Sequence, residues 1–129
     1  MFLWGYSVNS DPSDISHACM DVRFVIHCYK LNITFQNDDM ERFANTFFDV
    51  VFQGDFSGVI YSDYIDGNDA NQSLYLSLRS GWLKLYEYYR DSALAKYIIH
   101  KGIEIIIDQY NYNLILPFEI LTYLNSIVM

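Results

Sequence analysis

Asp11-Pro12-Ser13-Asp14-Ile15-Ser16-His17-Ala18-Cys19-Met20-Asp21-Val22-Arg23-Phe24-Val25-Ile26-His27-Cys28-Tyr29-Lys30-Leu31 is the stretch that decides the fold. Ile15, Ala18, Cys19, Val22, Val25, Ile26 and Tyr29 recur at three- and four-residue spacing, which predicts an amphipathic helix. Asp11 reads as its N-cap, Pro12 as its first helical residue and Asp14 as the acid of a capping box. On a helical wheel His17 and Asp21 fall within about 60° of Asp14, on one flank of the apolar stripe. Two carboxylates beside an imidazole suit general acid or base work, or the holding of a polar ligand. Asp14, His17 and Asp21 are therefore the candidate catalytic residues. The competing reading is a capping acid beside a surface ion pair of little energetic weight.

Outward from this helix, Asn32 to Gln36 breaks the pattern. Asn37 or Asp38 then caps a second helix with Met40, Phe43, Ala44, Phe47 and Val51 on its buried stripe, ended by Gly54. The segment from Asp55 to Gln72 reads as a long loop that could contain a short strand or helix near Val59 to Ile65. Gly81 to Tyr89 reads as a helix, with Leu74 to Arg79 before it less regular. Asp91 or Ser92 caps another helix through Leu94, Ile98, Ile99, Ile103 and Ile106. Its β-branched run from Ile103 to Ile107 could instead form a buried strand, and helix is preferred. Pro117 opens a last helix, Phe118 to Val128. The fold class expected is all-α, with about five helices paired as antiparallel hairpins in one helical domain over residues 1–129.

Sixteen acidic against eight basic residues give a net charge of -8, which disfavours nucleic acid and anionic membrane surfaces as partners. A neutral glycan or a basic protein partner remains. Twelve Tyr and nine Phe exceed what a small core needs, and the surplus suits a ligand cleft or a partner surface. Cys19 and Cys28 sit roughly 13 Å apart along one helix and cannot bridge. They read as buried thiols of a reducing compartment, and with no membrane span or secretory signal the expected location is cytoplasmic. No zinc spacing, phosphate loop, nucleophile elbow or redox pair occurs, so no cofactor is expected. His27 and His100 read as ordinary surface or core histidines. Asp63, Asp66 and Asp69 could furnish a carboxylate pair, but a solvated loop accounts for them better.

Trp4-Gly5-Tyr6, followed by Asp14-Ile15-Ser16-His17 and Asp21-Val22, resembles a stretch of the α/α-toroid carbohydrate-active enzymes. These are the six-hairpin glycosidases, polysaccharide lyases and uronyl epimerases. Asp39 to Phe47 is similar to the next helix of a toroid hairpin, and Ser80-Gly81-Trp82-Leu83 to a toroid loop. The resemblance implies a partial α/α toroid with His17 facing the cleft and Trp4, Tyr6 and Trp82 as substrate-binding rings. A closed toroid needs more helices than this chain supplies. The chain would then be the C-terminal part of a larger enzyme, or a half that forms a homodimer or has lost activity. The alternative is a small acidic inhibitor or immunity-type protein that binds a basic protein partner.

Overall fold

The computed structural model describes residues 2, 4–5, 10–54, 61–69 and 82–110. These are mostly helical, and their β pairing is confined to isolated bridges, so the all-α class holds for the described residues. The expected elements at Leu74 to Arg79 and Phe118 to Val128 lie outside them.

Helix α1 runs Ile15–Lys30, capped by Asp14 rather than by Asp11. The reason is that Asp11 to Ser13 is extended and paired with the N-terminal arm. Pro12 bridges Gly5, and the Ser13 N–H donates to the Trp4 carbonyl at 2.8 Å. The bridge requires glycine, because a Cβ at Gly5 would collide with the Asp11 carbonyl oxygen. One face of α1 buries Ile15, Ala18, Cys19, Val22, Val25 and Ile26. Cys19 is buried as expected, whereas Cys28 is only half-buried; neither forms a disulfide. Opposite the core, Met20, Phe24 and Leu31 recur at four- and seven-residue spacing and stand 59%, 66% and 67% exposed. Ile33 extends this outer stripe from the turn that follows. There Asn32 and Thr34 hold left-handed backbone, φ 57° and 67°, a rare conformation for a β-branched residue.

Helix α2 runs Asn37–Asn45, with Gln36 at the N-cap rather than Asn37 or Asp38. The Asp39 carboxylate accepts from the Gln36 N–H at 2.9 Å, which ties down the first turn. Past Asn45 the chain widens into a π-helical turn, Thr46–Val51, closed by the Phe52 N–H on the Phe47 carbonyl at 2.9 Å. The wide turn buries the neighbours Thr46, Phe47 and Phe48 together with Val51. The buried Thr46 hydroxyl accepts from the Phe2 N–H at 2.9 Å, anchoring the arm.

Trp82–Tyr88 forms a 3-10 helix where an α-helix is expected, and α3 follows over Ser92–Tyr110. The β-branched run from Ile103 to Ile107 is therefore helical. At the centre the Phe47 ring lies between Tyr61 and Trp82, nearly parallel to both, at centroid distances of 5.7 and 5.1 Å. Each outer ring uses its polar atom: the Trp82 indole donates to the Ile15 carbonyl at 2.9 Å and the Tyr61 hydroxyl to the Ile98 carbonyl at 3.2 Å. The segment Tyr61 to Ile65 also ties the π-helical turn to the residues just ahead of α1. The Ser62 N–H donates to the Val51 carbonyl, and the Ile65 N–H to the Ser13 carbonyl.

Where the 3-10 helix ends, Arg90 grips Asp49 with two nitrogens at 2.8 and 3.0 Å while the Tyr89 hydroxyl donates to the same carboxylate at 2.6 Å. Burial alone would raise the Asp49 carboxyl. The hydrogen bonds from Arg90 and Tyr89, with the Arg90 charge, outweigh burial and hold it below its ordinary 3.8. Burial and the bond to Asp49 push the Tyr89 phenol up to about 12. A raised phenol contributes stability that is complete below its ordinary 10.0 and is lost as pH rises toward about 12. A depressed carboxyl contributes stability present above 3.8 and lost as pH falls through its lower folded value. The urea midpoint should therefore decline at both extremes. In Asp49→Asn the acid decline should flatten and ultraviolet titration should show a late tyrosine ionising earlier; an unchanged titration would exclude the clamp.

Candidate functional site

The extended start of α1 and the arm paired with it place the predicted residues. Asp14, as N-cap, accepts from the Ser16 and His17 N–H groups at 3.1 and 3.0 Å through Oδ1. Its other oxygen, Oδ2, lies 2.7 Å from His17 Nδ1. The cap thus fixes the imidazole: with the proton on Nδ1 the ring donates to Asp14, and Nε2 is the basic nitrogen. The His17 side chain is 56% exposed. Geometry brings Asp14 and His17 together as the sequence predicts, and Asp14 serves as both cap and partner.

Asp21 stands one helical turn beyond His17 and is a neighbour on the α1 surface by its four-residue spacing. Its Oδ2 accepts from the Trp4 indole N–H at 2.9 Å. Trp4 and Asp21, with Phe2, Val25 and Phe43, line an open groove of about 210 Å³ between the arm, α1 and α2. The Phe43 ring holds this wall together, 4.9 Å from the Phe2 centroid and 5.4 Å from the Trp4 centroid. Phe2, Val25 and Phe43 were not predicted for the site. Phe43 and Val25 read as core residues, and only the apolar character of the arm hinted at Phe2.

Trp82 is a correction. Its side chain is 0% exposed, its ring stacks on Phe47 and its N–H is committed to Ile15, so it offers no face to a substrate. Tyr6 lies outside the described residues. The acidic loop forms a second open pocket of about 230 Å³ lined by Asp11, Pro12, Tyr64, Asp66, Asn68 and Asp69. There the Asp66 carboxylate accepts from the Asn68 N–H and side-chain amide, at 3.1 and 2.6 Å, and so shapes its own turn. Among the described residues, no group of three or more His, Cys, Asp and Glu could hold a metal ion. Among them also, no helix is long and apolar enough to cross a membrane. His27 and His100 are exposed.

No family model, curated protein or solved structure matches the chain.

The two roles of Asp14 separate by substitution. Asp14→Ala should lower stability by about 1 kcal/mol through the lost cap, while Asp14→Asn, itself a good cap, should cost only a few tenths. Urea denaturation of both variants checks this, and equal losses would contradict the capping geometry.

Proposed function

We propose that the chain is a carbohydrate-active α/α-toroid module that binds or processes a glycan at the groove between the N-terminal arm and α1. The observation that carries this reading is the Trp4 indole held by Asp21 at 2.9 Å on the wall of an open groove. An indole face paired with a carboxylate meets both needs of a sugar: an apolar plate for its C–H face and an acceptor for its hydroxyls. The Asp14 and His17 pair stands one turn away on the same helix. In a processing enzyme His17 Nε2 would exchange the proton and Asp14 would orient the ring. The remaining hairpins of a closed toroid would come from further chain or from a second copy.

A glycan array followed by calorimetry on the best ligand tests this. Trp4→Ala should weaken binding by about 10- to 100-fold, in line with the loss of one aromatic plate. His17→Ala should leave binding nearly intact and abolish any turnover. Equal affinity in wild type and Trp4→Ala would remove the groove from the function.

The exposed stripe Met20, Phe24, Leu31 and Ile33 favours a second reading, an acidic module that docks a basic protein partner. A photo-crosslinking residue at position 24 should then form an adduct with a basic protein. Equal labelling from position 16, beside the stripe, would count against a defined interface.

A further inference from the structure

The chemistry of the groove is narrower than that of a general sugar site. Among the described residues, its walls are the rings of Phe2, Trp4 and Phe43 and the aliphatic Val25, and Asp21 is the one ionisable side chain that lines it. Asp21 is also, among the described lining residues, the side chain that can accept a hydrogen bond from a ligand. An aromatic wall with a single carboxylate matches an alkylammonium: the ring faces attract the cation and the carboxylate neutralises it. The arm already shows this affinity, since the Arg42 guanidinium sits 5.4 Å over the Phe2 ring. Because Arg42 occupies the Phe2 end, an incoming cation belongs on the side of Trp4 and Asp21. The whole chain carries -8, which raises the local concentration of a polycation and repels an anionic polysaccharide.

We propose that the groove selects glycans bearing free primary amines, with the ligand ammonium on the Asp21 carboxylate beside the Trp4 ring. This inference rests on the glycan reading above and names its substrate class. The sugar C–H face lies on the aromatic wall, and the amine makes a charge-assisted contact with Asp21 beside the bond from the Trp4 indole. N-acetylation removes the charge and adds bulk, so it opposes binding twice.

Calorimetry with glucosamine oligomers and with their N-acetylated counterparts of equal length tests the proposal. The free-amine oligomer should bind about tenfold tighter or better, the scale of one charge-assisted contact at a partly desolvated ring. Asp21→Asn should erase that preference, Trp4→Ala should weaken both ligands, and the surface control Asp38→Asn should behave as wild type. Equal or tighter binding of the acetylated oligomer overturns the amine inference and leaves the glycan reading standing. Equal weakening by Asp38→Asn and Asp21→Asn also overturns it, because the attraction is then the general charge of the protein. Binding of neither oligomer, while another glycan binds with Trp4 dependence, defeats the inference alone. Silence across all glycans defeats both readings.

Discussion

The structure depends on the Phe47 ring held between Tyr61 and Trp82. That stack brings together the π-helical turn, the acidic loop and the 3-10 helix, and the polar atoms of its outer rings tie it to α1 and α3. A buried ring of this size contributes roughly 2–3 kcal/mol through its removal from water. Its larger effect is geometric. A ring plane fixes orientation as well as distance, and the two hydrogen bonds end on helix carbonyls whose positions are set by the backbone. The elements are thereby indexed against one another by three side chains, and the Trp82 indole holds the first residue of α1.

The groove inherits its shape from this arrangement. Trp4 packs 6.2 Å from the Trp82 centroid, so the inner side of the site rests on the core stack. Its outer side depends on an arm held by Thr46, by the Gly5 bridge and by the Trp4 bond to Asp21. These contacts span 7, 17 and 44 positions of sequence, so none is set by local spacing within one element. The site is consequently a tertiary product, even though its charged members lie within two turns of one helix.

That division explains what could be read in advance. The buried face of α1 and the stripe of α2 follow from periodicity, and both emerge in the core as expected. The adjacency of Asp14 and His17 follows from helical spacing. The position of the α1 cap does not, because Asp11-Pro12 carries a strong local start signal that pairing with Gly5 overrides. The π-helical turn has no local signature, since Phe47 and Phe48 are buried together by a widening that only the surrounding rings justify. Trp82 illustrates the same limit: a tryptophan after a glycine looks alike in a cleft and in a core, and burial is decided by Phe47, thirty-five positions upstream. The outer stripe of α1 was hidden for a different reason. Met20, Phe24 and Leu31 follow the same spacing rule as the core residues, and which of two apolar faces turns inward is settled by what else the chain packs against it.

Two tryptophans occur in the whole sequence, and they sit in opposite surroundings. Trp82 is sealed from solvent with its N–H on a backbone carbonyl, whereas Trp4 is half-buried with its N–H on an exposed carboxylate. The protein thus carries its own optical probe. The sealed Trp82 indole should emit at short wavelength until the core opens. Trp4 supplies a polarity-sensitive emission at the rim of the groove. Light from this molecule can therefore distinguish an occupied site from an opened core without any added dye.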